Sequence, residues 1–550
     1  MSASIRPMRL LEGAAEAEPT EPTSGIRARL DAPSRPDRGS DVAPKARVSE
    51  EPKARVSEEP KARVSDEPKA RVSEEPKARR AAVLPPLVRG PWPQPSPWFP
   101  DRMVPAVLHV PEDVKRDWFR NVRMRYLRQL VTETPGVYLW AKRNPGLRPV
   151  SDARFVELVT DATISKFLTP DLDAQDRRLF VTFLDREGAF YKADFRVMAL
   201  VEDDAESSAV PSVVLFRRDA DGRYEVRAIA LRDQVFDPRD GDAWELAKYF
   251  ALQGAGVGQT LYMHPRLHFP TDAIVAIAST RLPDGHVLKE LLRPHFRLEL
   301  GISDSVLHGT RSVLRPGHVY SPYPGTHAES LSIVQTLWTG FRHDDGAPSA
   351  AYPPYRFPLD PPTIHSPYGT FLARYFETIL SFVTEVLEAV PLTDPDVLGF
   401  AHHAAEWIPG FPDAHDIVVP EQRARAIASV IFSITVAHSA DHHLYAQIDP
   451  REVPFRLKAK PPRRGEPTRF DRRTLVSTRD LVAYAMCSRM YFHPHVVERL
   501  VDVRYDFEPV SLRNAAERFH AALRATERGI TRDGLRNYVP LDRIASSVQF

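Results

Sequence analysis

The chain has 550 residues, a formal net charge of +1, 43% apolar residues and a single cysteine, Cys487. This composition supports a sizeable core and gives no general pull toward nucleic acid or an anionic membrane. It excludes an intrachain disulfide framework, a cysteine-rich zinc module and a four-cysteine cluster. A metal would have to use His, Asp, Glu or a chain terminus, and there are 19 histidines to draw on.

In chain order, the first distinct segment is residues 1–95. The N-terminus MSASIRPMRLLEGAAEAEPTEP lacks the apolar stretch of a signal peptide, so a cytoplasmic protein is the default expectation. An octapeptide then recurs, PKARVSEE at Pro44, Pro52 and Pro68 and PKARVSDE at Pro60. Each copy offers one valine to bury among charges, too little to repay ordering. A disordered tail is expected, either a passive linker or a segment that binds an unknown partner.

From residue 96 apolar and aromatic residues become regular, and 96–550 is expected to form one domain. RLFVTFLD, YKADFRVMALV, SVVLFRR and YEVRAIALR, between Arg178 and Arg232, read as short strands, with DADGRY (Asp219 to Tyr224) as a hairpin turn. From Trp244 the spacing is helical: DAWELAKYFALQ, HVLKELLRPHFRLELGI, GTFLARYFETILSFVTEVLEAV and EQRARAIASVIFSITVAHSADHHLYAQ. The third of these is apolar around most of its circumference, which predicts burial on all sides. The longest apolar run, Ala426 to Ala437, has the length of a core helix and is too short for a bilayer. No phosphate loop or dinucleotide fingerprint appears. The expected fold is mainly α, with a small β region before the first long helix.

The histidines carry the chemistry. His264 and His268 stand four apart in LYMHPRLHF, and His438 and His442 repeat the spacing in VAHSADHH at the end of the most apolar helix. That interval puts two imidazoles on one helix face. Pro265 occupies the place where a zinc peptidase needs glutamate, so that reading fails. Two facing pairs would make a four-imidazole metal site; the alternative is two unrelated pairs satisfied by hydrogen bonds.

Several blocks resemble the lipoxygenases. ALRDQVFDPRDGDAWELAKYF, with Trp244, Ala247 and Lys248, resembles the approach to that family's first metal-ligand helix. HFPTDAIVAIASTRLPDGHVLKELLRPHFR resembles the next segment, including the 18-residue interval from His268 to His286 and the LLRPHFR around His295. VIFSITVAHSADH is similar to the second ligand helix, and YVPLDRIASSVQF to the family's ending, whose terminal carboxylate binds iron.

The resemblance implies a lipoxygenase-like catalytic domain, without the β-sandwich of eukaryotic members. It implies one non-haem iron (or manganese in its place) held by His264, His268, His438, His442 and the carboxylate of Phe550. The implied reaction inserts O2 into the 1,4-pentadiene of a polyunsaturated fatty acid to give a hydroperoxide, with a metal-bound hydroxide as the only acid–base group. Three departures accompany it. The first pair is spaced by four where the family uses five on a widened helix, with Pro265 expected to distort that turn; the last residue is Phe550, not isoleucine; and Val306 stands at a stereocontrol position usually held by alanine or glycine. They leave open different chemistry on the same scaffold, either hydroperoxide conversion or oxidation of a smaller substrate, and a non-catalytic lipid-binding relative. Arg281 and Arg293 are candidates for anchoring a substrate carboxylate. His286 and His295 are read as structural. Asp441 is either an imidazole's partner or a solvated helix-end residue. His443 is expected to face away from the pair it follows, and Cys487 to be a small buried residue.

Overall fold

A computed structural model describes residues 110–550, apart from 185–187, 205, 308–311, 316–320 and 344–345, together with two short strands before them, β1 (Gln94–Pro95) and β2 (Pro105–Ala106). The octapeptide tail, and with it the expectation of disorder, lies outside the described residues.

The architecture is predominantly helical, with one five-stranded antiparallel sheet: β3 (Leu168–Thr169), β4 (Ala189–Asp194), β5 (Ser212–Arg218), β6 (Tyr224–Leu231) and β7 (Gln234–Phe236), in that order across the sheet. Both faces of the central strands are covered, so their sequences are nearly continuous apolar runs. Val214 and Phe216 of β5, with Val226 and Ile229 of β6, face the helical core. Val213, Leu215, Ala228 and Ala230 face a smaller cluster around Phe180. The hairpin turn is where DADGRY puts it, with Gly222 at φ +81°, the left-handed region glycine tolerates.

Two expectations fail here. RLFVTFLD is not a strand. Asp173 and Asp176 form a capping box that starts the helix Ala174–Leu179, and Phe180 and Phe183 then fold over the sheet's outer cluster. YKADFRVMALV leaves the sheet after Asp194 and becomes a 3-10 turn, Arg196–Leu200.

Three of the four long helical runs form where their apolar spacing predicts; the fourth, HVLKELLRPHFRLELGI, is broken at Pro294 and Leu298 (φ +70°) into Val287–Leu292, a 3-10 turn at Arg293–His295 and Glu299–Leu307. Asp242–Gly258 is buried from Ala243 onward. Gly254 permits this depth, because a Cβ there would lie 2.6 Å from the Cβ of Phe195. Pro420–Phe432 runs into Ser433–Ala437 and His438–Tyr445 as one buried rod. Pro367–Leu387 is less buried than its composition suggests, since Ala373, Glu377, Ser381 and Thr384 line an exposed stripe. Among the described residues no helix is long and apolar enough to cross a membrane.

Trp244 and Lys248 serve the fold. The indole N–H and the ammonium both donate to Asp152 Oδ1, at 2.9 and 2.7 Å, and Lys248 also donates to the Val150 carbonyl. They pin the Val150–Asp152 segment to the first histidine-bearing helix.

Candidate metal centre

Each histidine pair follows a widened turn. Gln259–Met263 is π-helical and leads into His264; Ser433–Ala437 is π-helical and leads into His438. Such turns concentrate at functional sites because one extra residue per turn re-aims the side chains that follow. Pro265 has no N–H to give to an α-helical ladder, and the chain tightens to a 3-10 turn over His264–Leu267. The distortion expected around Pro265 is therefore present, as a wide turn followed by a tight one.

The four imidazoles converge. Nε2 of His264 lies 2.8 Å from Nε2 of His268 and 3.1 Å from Nε2 of His442, and His438 Nε2 lies 3.1 Å from that of His268. All four ligating atoms lie within 4.8 Å of one another, and all four residues are buried. Burial, reinforced by the neighbouring imidazoles, holds His268, His438 and His442 well below the usual histidine pKa, so they are neutral with lone pairs available.

The spacing tests what ion the cluster fits. Atoms about 2.1 Å from a common centre lie roughly 3.0 Å apart at a right angle and roughly 3.4 Å apart at a tetrahedral angle. The observed 2.8 to 3.1 Å fits neighbouring positions of an octahedron. An octahedral nitrogen-rich set suits iron or manganese better than zinc. The fit holds for a metal as such, and the donor set alone does not name the element.

Asp441 organises the cluster from behind. It is 1% exposed, which removes the solvated helix-end reading. Its Oδ1 accepts from Thr163 (2.9 Å), Tyr368 (2.8 Å) and the Lys166 ammonium, and its Oδ2 accepts from Gln259 (3.1 Å). Oδ2 also faces His264 Nδ1 at 3.3 Å. Burial alone would raise this carboxyl, but Lys166 and the hydrogen bonds outweigh it and keep the group ionised. A carboxylate there accepts a hydrogen bond from Nδ1–H of His264 and leaves the Nε2 lone pair turned inward.

The chain's end is built into the same region. Phe550 is 2% exposed, and its ring centroid lies 5.3 Å from that of His438 and 4.8 Å from that of His442. His295, fully buried, donates from Nδ1 to the Ser546 carbonyl (2.7 Å) and accepts at Nε2 from Tyr505 (3.1 Å). The first of these bonds ties it to the C-terminal segment at Ser546. His286 caps the helix Val287–Leu292 and faces Asp394 at 3.4 Å, away from the cluster. His443 is half-buried and not among the converging groups. Cys487 is buried, and burial pushes its thiol pKa up.

A cavity of about 80 Å³ opens beside the cluster, lined by His264, His268, His442 and Phe550 and walled by Phe269, Ile302, Val306, Val334, Phe492 and other mainly apolar residues. Val306 lies in its wall. Among the described residues no arginine or lysine lines it. Of the two candidate anchors, Arg281 is turned toward His403 and Arg293 is paired at the surface with Glu290 and Asp506, and neither lines the cavity. The sequence reading missed Arg125. Its guanidinium lies over the ring of Tyr126, 4.9 Å from the centroid, and Tyr126 lines the cavity. All three guanidinium nitrogens are buried without an acceptor in good geometry. The only sequence signal was an arginine beside a tyrosine in a mainly basic helix, Met124–Arg143.

Solved structures with the same fold are lipoxygenases. Delta413-417:GS LOX, crystallised anaerobically in complex with arachidonate, superposes with a TM-score of 0.59 at 16% identity, covering 80% of this chain and 74% of that one. The coral 8R-lipoxygenase gives 0.60 at 16% identity, with 81% and 76% covered. The lipoxygenase of the fungus Fusarium graminearum gives 0.53 at 15% identity, with 73% and 80% covered. No family model matches the sequence, and no curated protein matches it. The fold is lipoxygenase-like.

Proposed function

We propose that the protein is a non-haem iron dioxygenase that inserts O2 into the 1,4-pentadiene of a polyunsaturated fatty acid. The observation that carries the reading is the convergence of four buried imidazole Nε2 atoms at octahedral spacing beside an apolar cavity. His264, His268, His438 and His442 hold the metal, and the free carboxylate of Phe550 supplies a fifth ligand. A redox-active metal in this place supplies the one-electron chemistry that activates a doubly allylic C–H bond.

The chain's own residues do the rest. Asp441 fixes the tautomer of His264, and His295 holds the segment that ends in Phe550. Ile302, Val306 and Val334 exclude water from the acyl chain. Arg125, half-buried and stacked on Tyr126 at the cavity's edge, pairs with the fatty acid's carboxylate. Oxidation of a dry hydrocarbon needs no protein acid or base here.

The test begins with metal analysis of freshly purified protein, repeated on His438→Ala and on a chain extended a few residues past Phe550. One iron per chain in the parent, lost in both variants, supports the ligand set. Full iron in the extended chain removes Phe550 from it. Incubation with linoleate follows, watching conjugated-diene absorbance and oxygen uptake together; iron-loaded protein that produces neither ends the dioxygenase reading.

One observation favours a second reading. Ligand pockets are typically about 300–1,000 Å³, and this cavity is about 80 Å³. On that ground the same metal centre would serve a smaller or already oxidised substrate, and linoleate would be inert while a short-chain diene or a hydroperoxide turns over.

A further inference from the structure

The apolar cavity has one polar corner that the proposed reaction does not use. Asp272 lies one helical turn beyond His268, and Glu299 and Ser303 lie one turn apart on the helix Glu299–Leu307. All three are at most 2% exposed. Ser303 stands beside Asp272 and lines the cavity, and its Oγ has no hydrogen-bond partner in good geometry. Asp272 Oδ1 and Glu299 Oε2 are likewise unpartnered, and among the described residues no cation pairs with either carboxyl.

Proton counting bears on the state of Glu299. Thr271 Oγ1 has three acceptors in reach, the carbonyls of Leu267 (2.8 Å) and His268 (2.7 Å) and Glu299 Oε1. A hydroxyl has one proton to give. If Thr271 gives it to a carbonyl, Glu299 must be the donor in their contact, as a neutral acid. Burial agrees, raising both Glu299, to about 8, and Asp272. The corner therefore presents a hydroxyl backed by uncharged acid, able to donate and to accept, and unsuited to an anion. Leaving such groups dry and unpaired costs about 1–3 kcal/mol each.

We propose that Ser303, backed by Asp272 and Glu299, is a subsite for a neutral oxygen function, a hydroxyl or hydroperoxyl group, on the hydrocarbon chain of the substrate. The inference rests on the lipid reading given above and narrows it to chains that already carry oxygen, or to the enzyme's own product held before release. A hydroxyl oxygen there accepts from Ser303 while its proton goes to the acid pair, which an unsubstituted alkyl chain cannot do.

The test uses lipids that lack a pentadiene and so are not turned over by the proposed reaction. Binding of oleate, ricinoleate (its hydroxylated counterpart) and oleate hydroperoxide to the metal-loaded full-length chain is measured by titration calorimetry. Ricinoleate, the hydroperoxide or both should bind about five-fold tighter than oleate, as expected for one buried hydrogen bond, and comparison of the two shows which oxygen function is preferred. In Ser303→Ala the ratio should fall to about one. In Glu299→Gln, which keeps a neutral donor and acceptor, the preference should persist, and its melting temperature reports whether the corner stays folded. Equal binding of all three lipids to the parent overturns the subsite and leaves the lipid reading standing, the corner then being filled by water alone. Failure of every lipid to bind overturns both. A preference that survives Ser303→Ala assigns the oxygen to another group and overturns the role given to Ser303.

Discussion

Gln549→Ala is expected to loosen the metal centre from a distance. The Gln549 side chain is fully buried and used at both ends. Its Oε1 accepts from the backbone N–H groups of Val497 (2.5 Å) and Glu498 (3.0 Å). Its Nε2 has the Glu498 carbonyl and Ser546 Oγ at 3.0 Å and Ser547 Oγ at 3.3 Å. Truncation strands two donors and one carbonyl. Each stranded group costs about 1–3 kcal/mol, nearer the lower figure because Val497 and Glu498 are only partly buried. The sum is about 2–4 kcal/mol of stability, read from the urea midpoint with its m-value. The same clasp sets the path of Phe550, so iron per chain should fall in the same preparation, while the buried histidines keep part of the affinity. A variant within about 0.5 kcal/mol of the parent that carries its full metal would refute both steps, showing that the clasp neither holds the terminus nor matters to the site.

Asp441→Asn should cost about 3–5 kcal/mol by leaving Lys166 buried and unpaired; the added change Lys166→Met should recover much of it in thermal melts without recovering metal content. Arg125→Leu should raise KM for a fatty acid several-fold and leave its methyl ester unaffected; an equal effect on both removes the carboxylate role. Val306→Ala should widen the pocket and change the position or chirality of the product, read by chiral chromatography. His295 is held near pH 4 by burial, against an ordinary value of about 6.5. The unfolded chain therefore binds its proton first as pH falls, and stability is lost from about pH 6.5 down to about pH 4, by roughly 3 kcal/mol. His295→Gln should flatten that part of the stability profile, and an unchanged slope would assign it elsewhere.

The histidine pairs were legible because identical spacing on two apolar helices is a strong pattern, and the lipoxygenase-like fold was legible through the blocks around them. What escaped was local or non-periodic. The capping box of Asp173 and Asp176 turned a β-rich run into a helix end. The exposed stripe of Pro367–Leu387 was hidden because alanine and threonine do not declare a surface. Asp441 could be read as an imidazole's partner or as a solvated helix end, and only the closure of Thr163, Lys166, Gln259 and Tyr368, from three other parts of the chain, decides between them. Arg125 carried almost no signal, because what distinguishes it is its place over Tyr126 at the cavity's edge, and that is a property of the fold.

The shortened histidine interval shows how a fold can restore what a sequence departure removes. A five-residue spacing on a widened helix and a four-residue spacing after one place the second imidazole at different heights. Here the wide turn ends at Met263 and the tight one begins at His264, so the register gained before the pair is partly given back within it. Pro265 enforces the change, since it cannot donate into the wide ladder and its fixed φ suits the tight turn. Replacing Pro265 by alanine lets α-helical or π-helical hydrogen bonding continue through His268. The first pair should then lose its 2.8 Å approach, and with it much of the metal affinity, although alanine is the better helix former. Metal binding that stays as tight in Pro265→Ala would mean that the cluster, and not the proline, dictates the turn.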